Sequence, residues 1–147
     1  MKRIFRVMLW SLLIASVACA HAASKKGAAI EKKLSTKVEC EDFNSVGNEW
    51  MEVLFVNGIS VAVYSNEQLL ESIGTFPLVT GDEMIASAFF LEADKKSPDY
   101  SEGRIAHAVT AKDIKDGFDL AFDVIVEEND GQYKGNQATW HVVFSFE

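Results

Sequence analysis

Apolar and polar residues alternate in two segments of the last third of the chain, one from Phe118 to Glu127 and one from Ala138 to Glu147. A period of two is typical of β-strands with one buried face. The charged, glycine-bearing stretch 128–135 between them predicts a hairpin loop. We expect three aromatic residues of the last segment in the core: Trp140, Phe144 and Phe146.

Asn57-Gly58 predicts a second hairpin, because it separates two runs rich in β-branched and aromatic residues, 49–56 and 59–65. Both turn residues accept the positive φ of a type I′ turn. A two-residue loop fixes the register and pairs Val56 with Ile59 and Leu54 with Val61. Since both faces of the hairpin are apolar, we expect it to be central and covered on both sides.

Between these two regions, the pattern of apolar and polar residues is less clear. Residues 66–73 predict a short helix that Asn66 caps and Gly74 ends, and 76–79 predicts a brief strand. Residues 82–94 fit either a helix, with a capping box at Thr80 to Glu83, or a strand; the β-like flanks favour the strand. A polar loop, 95–103, then leads to a strand over 104–110.

These elements predict a mainly β fold, all-β or α+β, with one or two short helices. The architecture is a single antiparallel β-sandwich or a partly closed barrel. We divide the chain into a signal peptide (1–22), a flexible lead-in (23–36) and one β-rich domain (37–147).

The first 22 residues carry the features of a secretory signal peptide. Three basic residues precede an apolar run of about 11 residues, which is too short to span a bilayer of ~30 Å. Two A-x-A sites follow, and we expect cleavage after Ala22. The mature protein is then exported to the periplasm or the medium, with a bacterial envelope favoured, and it contains no transmembrane helix.

The two cysteines depend on this cleavage. A cut after Ala22 removes Cys19 and leaves Cys40 alone, either as a small buried hydrophobe or as a free thiol. Alternatively, Ser16-Val17-Ala18-Cys19 resembles a lipoprotein cleavage box, in which Cys19 is lipidated. Only that alternative would place the protein on a membrane.

The chain is acidic, with a net charge of −8 that becomes about −11 when the three basic residues of the signal are removed. Nucleic acid and anionic lipid would be repelled, so neither is expected as a partner. Acidity suits a soluble protein or one that meets a basic surface.

Catalytic and metal-binding patterns are weak in this sequence. His141 shares a predicted polar face with Asp119 and Asp123, but no close ligand spacing such as H-x-H is present. No nucleophile motif and no glycine-rich phosphate loop occurs. We therefore expect neither an enzyme nor a metal or other cofactor.

Two long charged loops, each with one tyrosine, are the candidate binding segments. The candidate binding residues of the first loop are Lys95, Lys96, Asp99 and Tyr100, and those of the second are Asp130 and Tyr133. Tyrosine is a frequent hot-spot residue of protein interfaces.

These observations lead to a hypothesis of a non-enzymatic exported domain that binds another protein, for example as an inhibitor or immunity-type protein. A small-molecule or lipid carrier is the alternative, with the Asn57-Gly58 hairpin lining an apolar cavity. A third alternative is a structural lipoprotein anchored in the envelope through Cys19.

Overall fold

The computed structural model describes residues 27–44, 46–93 and 98–147. Within them lie nine strands and one α-helix, α1 (Ala111–Asp116), together with a 3₁₀ turn at Gly131–Tyr133. The strands are β1 (Ile30–Asp42), β2 (Trp50–Val56), β3 (Ile59–Ser65), β4 (Gln68–Ser72), β5 (Thr75–Leu78), β6 (Glu83–Glu92), β7 (Asp99–Ala108), β8 (Phe118–Glu127) and β9 (Gln137–Phe146). The predicted signal peptide lies outside the described residues.

The strands form two antiparallel sheets. One has the order β5-β1-β9-β8 and the other the order β4-β3-β2-β6-β7. The described strands do not close into a barrel, so the predicted mainly β fold is confirmed as a β-sandwich.

The core lies between the two sheets and is centred on β9. The predicted inner residues of this strand, among them Trp140, Phe144 and Phe146, are fully buried. The Trp140 ring lies 4.9 Å from the Trp50 ring of β2 and 5.0 Å from the Phe90 ring of β6. Aromatic contacts therefore join the two sheets in addition to aliphatic packing.

The Asn57-Gly58 hairpin is confirmed, but its predicted register is wrong beyond the first pair. Val56 faces Ile59 as expected, whereas Leu54 faces Ala62 because a β-bulge adds one residue to β3. The bulge turns Ala62 and Tyr64 towards the core. The second face of the hairpin is also not covered in the described structure, since Met51 is about half exposed there.

The helix expected over residues 66–73 is wrong. These residues form a tight turn at Asn66-Glu67 and then β4, which pairs with β3. All five residues of β4 are exposed, so Leu69 and Leu70 do not form an apolar face against the core. A helix this short is marginal alone, whereas a strand satisfies the backbone groups at the edge of β3.

The strand alternative for residues 82–94 is confirmed as β6, and the brief strand near 76–79 is confirmed as β5. The next strand begins earlier than expected, because β7 starts at Asp99 and pairs with β6 along its whole length. The six-residue helix α1 was not predicted; Thr110 and Asp113 form its capping box.

The flexible lead-in expected over residues 23–36 is wrong for 30–36, which belong to β1. Leu34 and Val38 of this strand are buried against the core. The strand pairs first with β5 and then with β9, so its backbone is fixed between two neighbours.

Candidate functional site

Four connections meet at one end of the sandwich, which we call the loop end. They are the connection between β1 and β2, of which residues 43, 44 and 46–49 are described, the turn at 66–67, the connection between β6 and β7, of which residues 93 and 98 are described, and residues 128–136 between β8 and β9. The antiparallel registers bring the flanking strand ends together.

Asparagine side chains tie these connections to one another. Asn44 Nδ2 donates to the carbonyl of Gln137 (3.0 Å), and Asn136 Nδ2 donates to the carbonyl of Asn44 (2.6 Å). Asn66 Oδ1 accepts from the backbone N–H of Trp50 (2.8 Å). The loop end is therefore held by side-chain hydrogen bonds between residues distant in sequence.

Asp99 and Asn129 connect the two loops that the sequence singles out. Asp99 Oδ1 accepts from the backbone N–H of Asn129 (3.0 Å) and from its Nδ2 (2.6 Å). The Asp99 side chain is 0% exposed. Asp99, predicted as a binding residue, is thus buried beneath the second loop, and its hydrogen bonds hold that loop in place.

The other predicted binding residues are exposed or are not among the residues that the structure describes. Tyr100 is 67% exposed, and its ring stacks on Phe89 at 6.1 Å on the outer face of the five-stranded sheet. Tyr133 is 46% exposed in the 3₁₀ turn, and Asp130 precedes that turn in an exposed position. Lys95 and Lys96 fall outside the described residues.

Exposed aromatic side chains are concentrated at the loop end. Among the described residues, the large apolar side chains with high exposure include three aromatic ones: Phe43 and Tyr133 lie in the connections of this end, and Tyr100 is the second residue of β7, next to it. Phe43, at 42% exposure, makes an edge contact with the buried Trp140 ring at 5.6 Å. The sequence pattern gave no signal for Phe43, because its position depends on contacts far along the chain.

A pocket of about 310 Å³ opens at the loop end. Its lining comes from the first connection and from the 66–67 turn: Phe43, Gly47, Asn48, Trp50, Asn66 and Glu67. Trp50 is 3% exposed, and its indole Nε1 has no hydrogen-bond partner in the structure. The pocket therefore combines aromatic surface, a carboxylate and a buried donor without a partner.

Glu67 occupies a strained backbone position beside this pocket. Its φ is +64°, a region that non-glycine residues rarely adopt. Its carboxylate accepts from the backbone N–H of Cys40, and its own N–H points to Oε1 of Glu52 at 3.4 Å. The turn thus places a glutamate at a backbone position that glycine would adopt without strain.

Glu52 lies behind the turn, fully buried, and its Oε2 has no partner in the structure. Burial raises the pKa of this carboxyl, the hydrogen bond from the Glu67 N–H acts in the opposite direction, and the Glu67 charge adds to the rise. The site therefore places two carboxyl groups close together.

Cys40 is a half-buried free cysteine on β1. Burial raises the pKa of its thiol to about 11, a hydrogen bond at Asp42 acts in the opposite direction, and the charges of Glu67, Asp42 and Glu41 add to the rise. Because the thiolate is the reactive form, this environment does not activate the sulfur.

The two histidines of the described chain each pair with one aspartate. His141 Nδ1 lies 2.8 Å from Asp123 Oδ1, and His107 Nε2 lies 3.0 Å from Asp113 Oδ2 at the start of α1. Within residues 27–44, 46–93 and 98–147, no three His, Cys, Asp or Glu side chains form a group suited to a metal ion.

No helix of the described residues is long and apolar enough to cross a membrane. In comparisons with known proteins, no family model matches the chain and no curated protein is significantly similar to it.

Proposed function

We propose that this chain is an exported, non-enzymatic domain that binds another protein through its loop end. The observation that carries the proposal is the position of the exposed aromatic residues Phe43, Tyr100 and Tyr133 at or next to that one end. Tyrosine and phenylalanine are enriched in protein interfaces, where they bury large areas at low entropic cost.

Charge supports a basic partner surface. Exposed acidic residues surround the loop end: Glu41, Asp42, Glu49, Glu67, Glu127 and Asp130. Among the described residues of the four connections, Lys134 is the one basic residue. An acidic rim steers a basic partner to the site and repels acidic ones, as expected for an inhibitor or immunity-type protein acting on a secreted enzyme.

Export is the second part of the proposal and rests on the first 22 residues. A basic start, a short apolar run and A-x-A sites support removal of residues 1–22. Lipidation at Cys19 would keep the same binding end but tether it to a membrane.

A pocket of about 270 Å³ borders the hairpin of the carrier alternative at residues 60–63, but its other side is formed by the exposed residues 71–73, so it is not an enclosed apolar cavity. Leu54 and Val56 belong to the core that packs between the two sheets. The pocket of about 310 Å³ is open and lies at the loop end, not behind this hairpin.

The test is partner capture with the mature protein, immobilised and exposed to envelope and secreted extracts of its native host. A Tyr100→Ala/Tyr133→Ala variant is compared with Ile59→Ala, which removes an exposed apolar side chain near the opposite end. We expect the double variant to bind the captured protein at least about tenfold more weakly and Ile59→Ala to bind normally. Equal binding by the unaltered protein, the double variant and Ile59→Ala would refute the proposal. The absence of any captured partner would also refute it.

A further inference from the structure

We infer that the loop-end pocket receives a basic group of the partner, the ammonium or guanidinium at the end of a Lys or Arg side chain. This inference rests on the proposed function, because it names the part of the partner that the pocket recognises. It is carried by the lining of the pocket, its size and the backbone strain at Glu67.

The pocket has the size of a site for one side chain. Ligand pockets usually measure about 300–1,000 Å³, and this one, at about 310 Å³, is at the lower end. Gly47 leaves no room for a side chain in the wall of the pocket, because an added Cβ would clash with Glu92 Cγ. A larger residue at that position would displace Glu92 from beneath the loop.

The lining offers the groups that bind an organic cation. Phe43 and Trp50 supply aromatic surface, and Glu67 supplies a carboxylate. Aromatic rings attract ammonium and guanidinium groups through their negative faces, and a carboxylate adds a charged hydrogen bond. None of the six lining residues is basic, so the pocket holds no charge of its own to neutralise Glu67.

The carboxyl groups behind the pocket favour the same ligand. Glu52 is fully buried with one oxygen lacking a partner, and its N–H contact from Glu67 is long at 3.4 Å. A cation beside Glu67 would offset the repulsion between these two carboxylates. An anionic ligand beside Glu67 would instead add to this repulsion.

The strain at Glu67 points to a role beyond folding. The equivalent position of the Asn57-Gly58 turn is glycine, which adopts its φ of +77° without penalty. Glu67 adopts +64° in a turn that is otherwise similar. Strained backbone positions of this kind concentrate at binding sites.

The inference is tested with three capped amino acids: Nα-acetyl-lysine methylamide, Nα-acetyl-arginine methylamide and the neutral Nα-acetyl-norleucine methylamide. Binding to the mature protein is followed by NMR through the indole N–H signal of Trp50, with the backbone amide of the exposed Ile59, near the opposite end of the sandwich, as the internal reference. We expect the two cations to shift the Trp50 signal in a saturable, salt-sensitive manner and norleucine to bind at least fivefold more weakly. An equal response to norleucine, or no response to the cations, overturns the inference.

Variants test whether the cations bind in the loop-end pocket. Glu67→Gln keeps an oxygen acceptor for the Cys40 N–H but removes the charge, and it should weaken lysine binding at least fivefold. Glu71→Gln, an exposed change on β4, should leave binding unchanged. If Glu67→Gln alters the fold, Phe43→Leu removes the exposed ring instead and should also weaken binding. Normal binding by a folded Glu67→Gln or Phe43→Leu variant overturns the inference.

The two proposals fail in different ways. If the partner is captured through Tyr100 and Tyr133 but the cations do not bind, only the pocket inference is overturned. If the cations bind but no partner is captured, the proposed function fails, and the occupant is a free amine and not a side chain of a protein.

Discussion

Three carboxyl groups lie buried near the loop end, and each has a different environment. Asp99 Oδ1 accepts two hydrogen bonds from Asn129 while its Oδ2 has no partner, Glu92 lies against Gly47, and Glu52 Oε2 also has no partner. Burying a charge costs free energy unless hydrogen bonds compensate for it. Glu52 is compensated less than Asp99, because the contact from the Glu67 N–H is long at 3.4 Å, whereas Asp99 Oδ1 accepts at 3.0 and 2.6 Å.

We predict that Glu52→Gln stabilises the protein at neutral pH and not at acidic pH. The folded protein holds the Glu52 proton more tightly than the unfolded chain, since burial raises the pKa above its ordinary value of 4.5. The free energy of unfolding therefore falls as pH rises from about 4.5 through the raised pKa. Glutamine removes this penalty, which we expect to amount to about 1 kcal/mol at pH 7.

Urea unfolding at pH 4 and at pH 7 measures this difference, with the exposed Glu71→Gln as control. A gain of the same size at both pH values would show that the charge of Glu52 is not the cause.

Asp99→Ala is predicted to destabilise the protein by about 2 kcal/mol, because hydrogen bonds to a charged group contribute about 1.5–3 kcal/mol. It should also increase hydrogen exchange at the Asn129 amide, which loses its acceptor. The exposed Asp130→Ala in the same loop should change neither quantity. Unchanged stability together with loss of partner binding would instead restore Asp99 as a surface contact.

The predicted site residues illustrate what a sequence can reveal at this scale. Tyr100 and Tyr133 were predicted because polar loops with one aromatic residue are common binding segments. Asp99 has the same local surroundings, yet its burial depends on Asn129, 30 residues away. Phe43 and Glu67 were missed for the same reason: their positions follow from long-range packing.

Two turns show the limit of local patterns at the scale of elements. Asn57-Gly58 predicted its hairpin because glycine accepts positive φ without cost. Asn66-Glu67 forms a comparable turn with φ of +49° and +64°, but glutamate does not signal it. Leu69, Leu70 and Ile73 then resemble a helical stripe, although the described structure leaves all three exposed.

Strand β1 was missed because its inner positions are chemically mixed. Leu34 and Val38 alternate with Lys32, Thr36 and Cys40 on the same face. Lys32 is accommodated because its Nζ donates to the carbonyl of Ile114 beyond the sheet (3.2 Å). Strands β8 and β9 were predicted because their inner positions are apolar throughout, so the period of two is clear.

Gly103 allows β7 to approach β8 closely, and we predict that Gly103→Ala destabilises the protein by about 1–3 kcal/mol. An added Cβ would lie 2.7 Å from Val124 Cγ2 and 3.1 Å from the Phe122 ring, both in the packed layer between the strands. Gly27→Ala is the matched control, since a Cβ there meets nothing within 4 Å. Thermal unfolding midpoints of both variants are compared. Equal midpoints would contradict the prediction and would mean that β7 and β8 move apart at no cost in stability.

At the scale of the whole molecule, acidity and the position of the aromatic residues act together. Removal of residues 1–22 leaves a net charge of about −11 on the mature chain. Long-range attraction of a basic partner is screened by salt within about 8–10 Å. We therefore expect the association rate with the captured partner to fall steeply as salt is raised and the dissociation rate to change little, as measured by surface plasmon resonance.

The mature N-terminus determines whether the loop end meets its partner in solution or at a membrane surface. Cleavage after Ala22 and cleavage before Cys19 both leave every described residue in place, so both forms keep the same fold and the same loop end. Intact mass of the protein from its native host separates them. We predict a soluble form that begins at Ala23 and meets its partner by diffusion. A mass that begins at Cys19 and carries acyl chains, lost in Cys19→Ala, would instead confine the loop end to partners at a membrane surface.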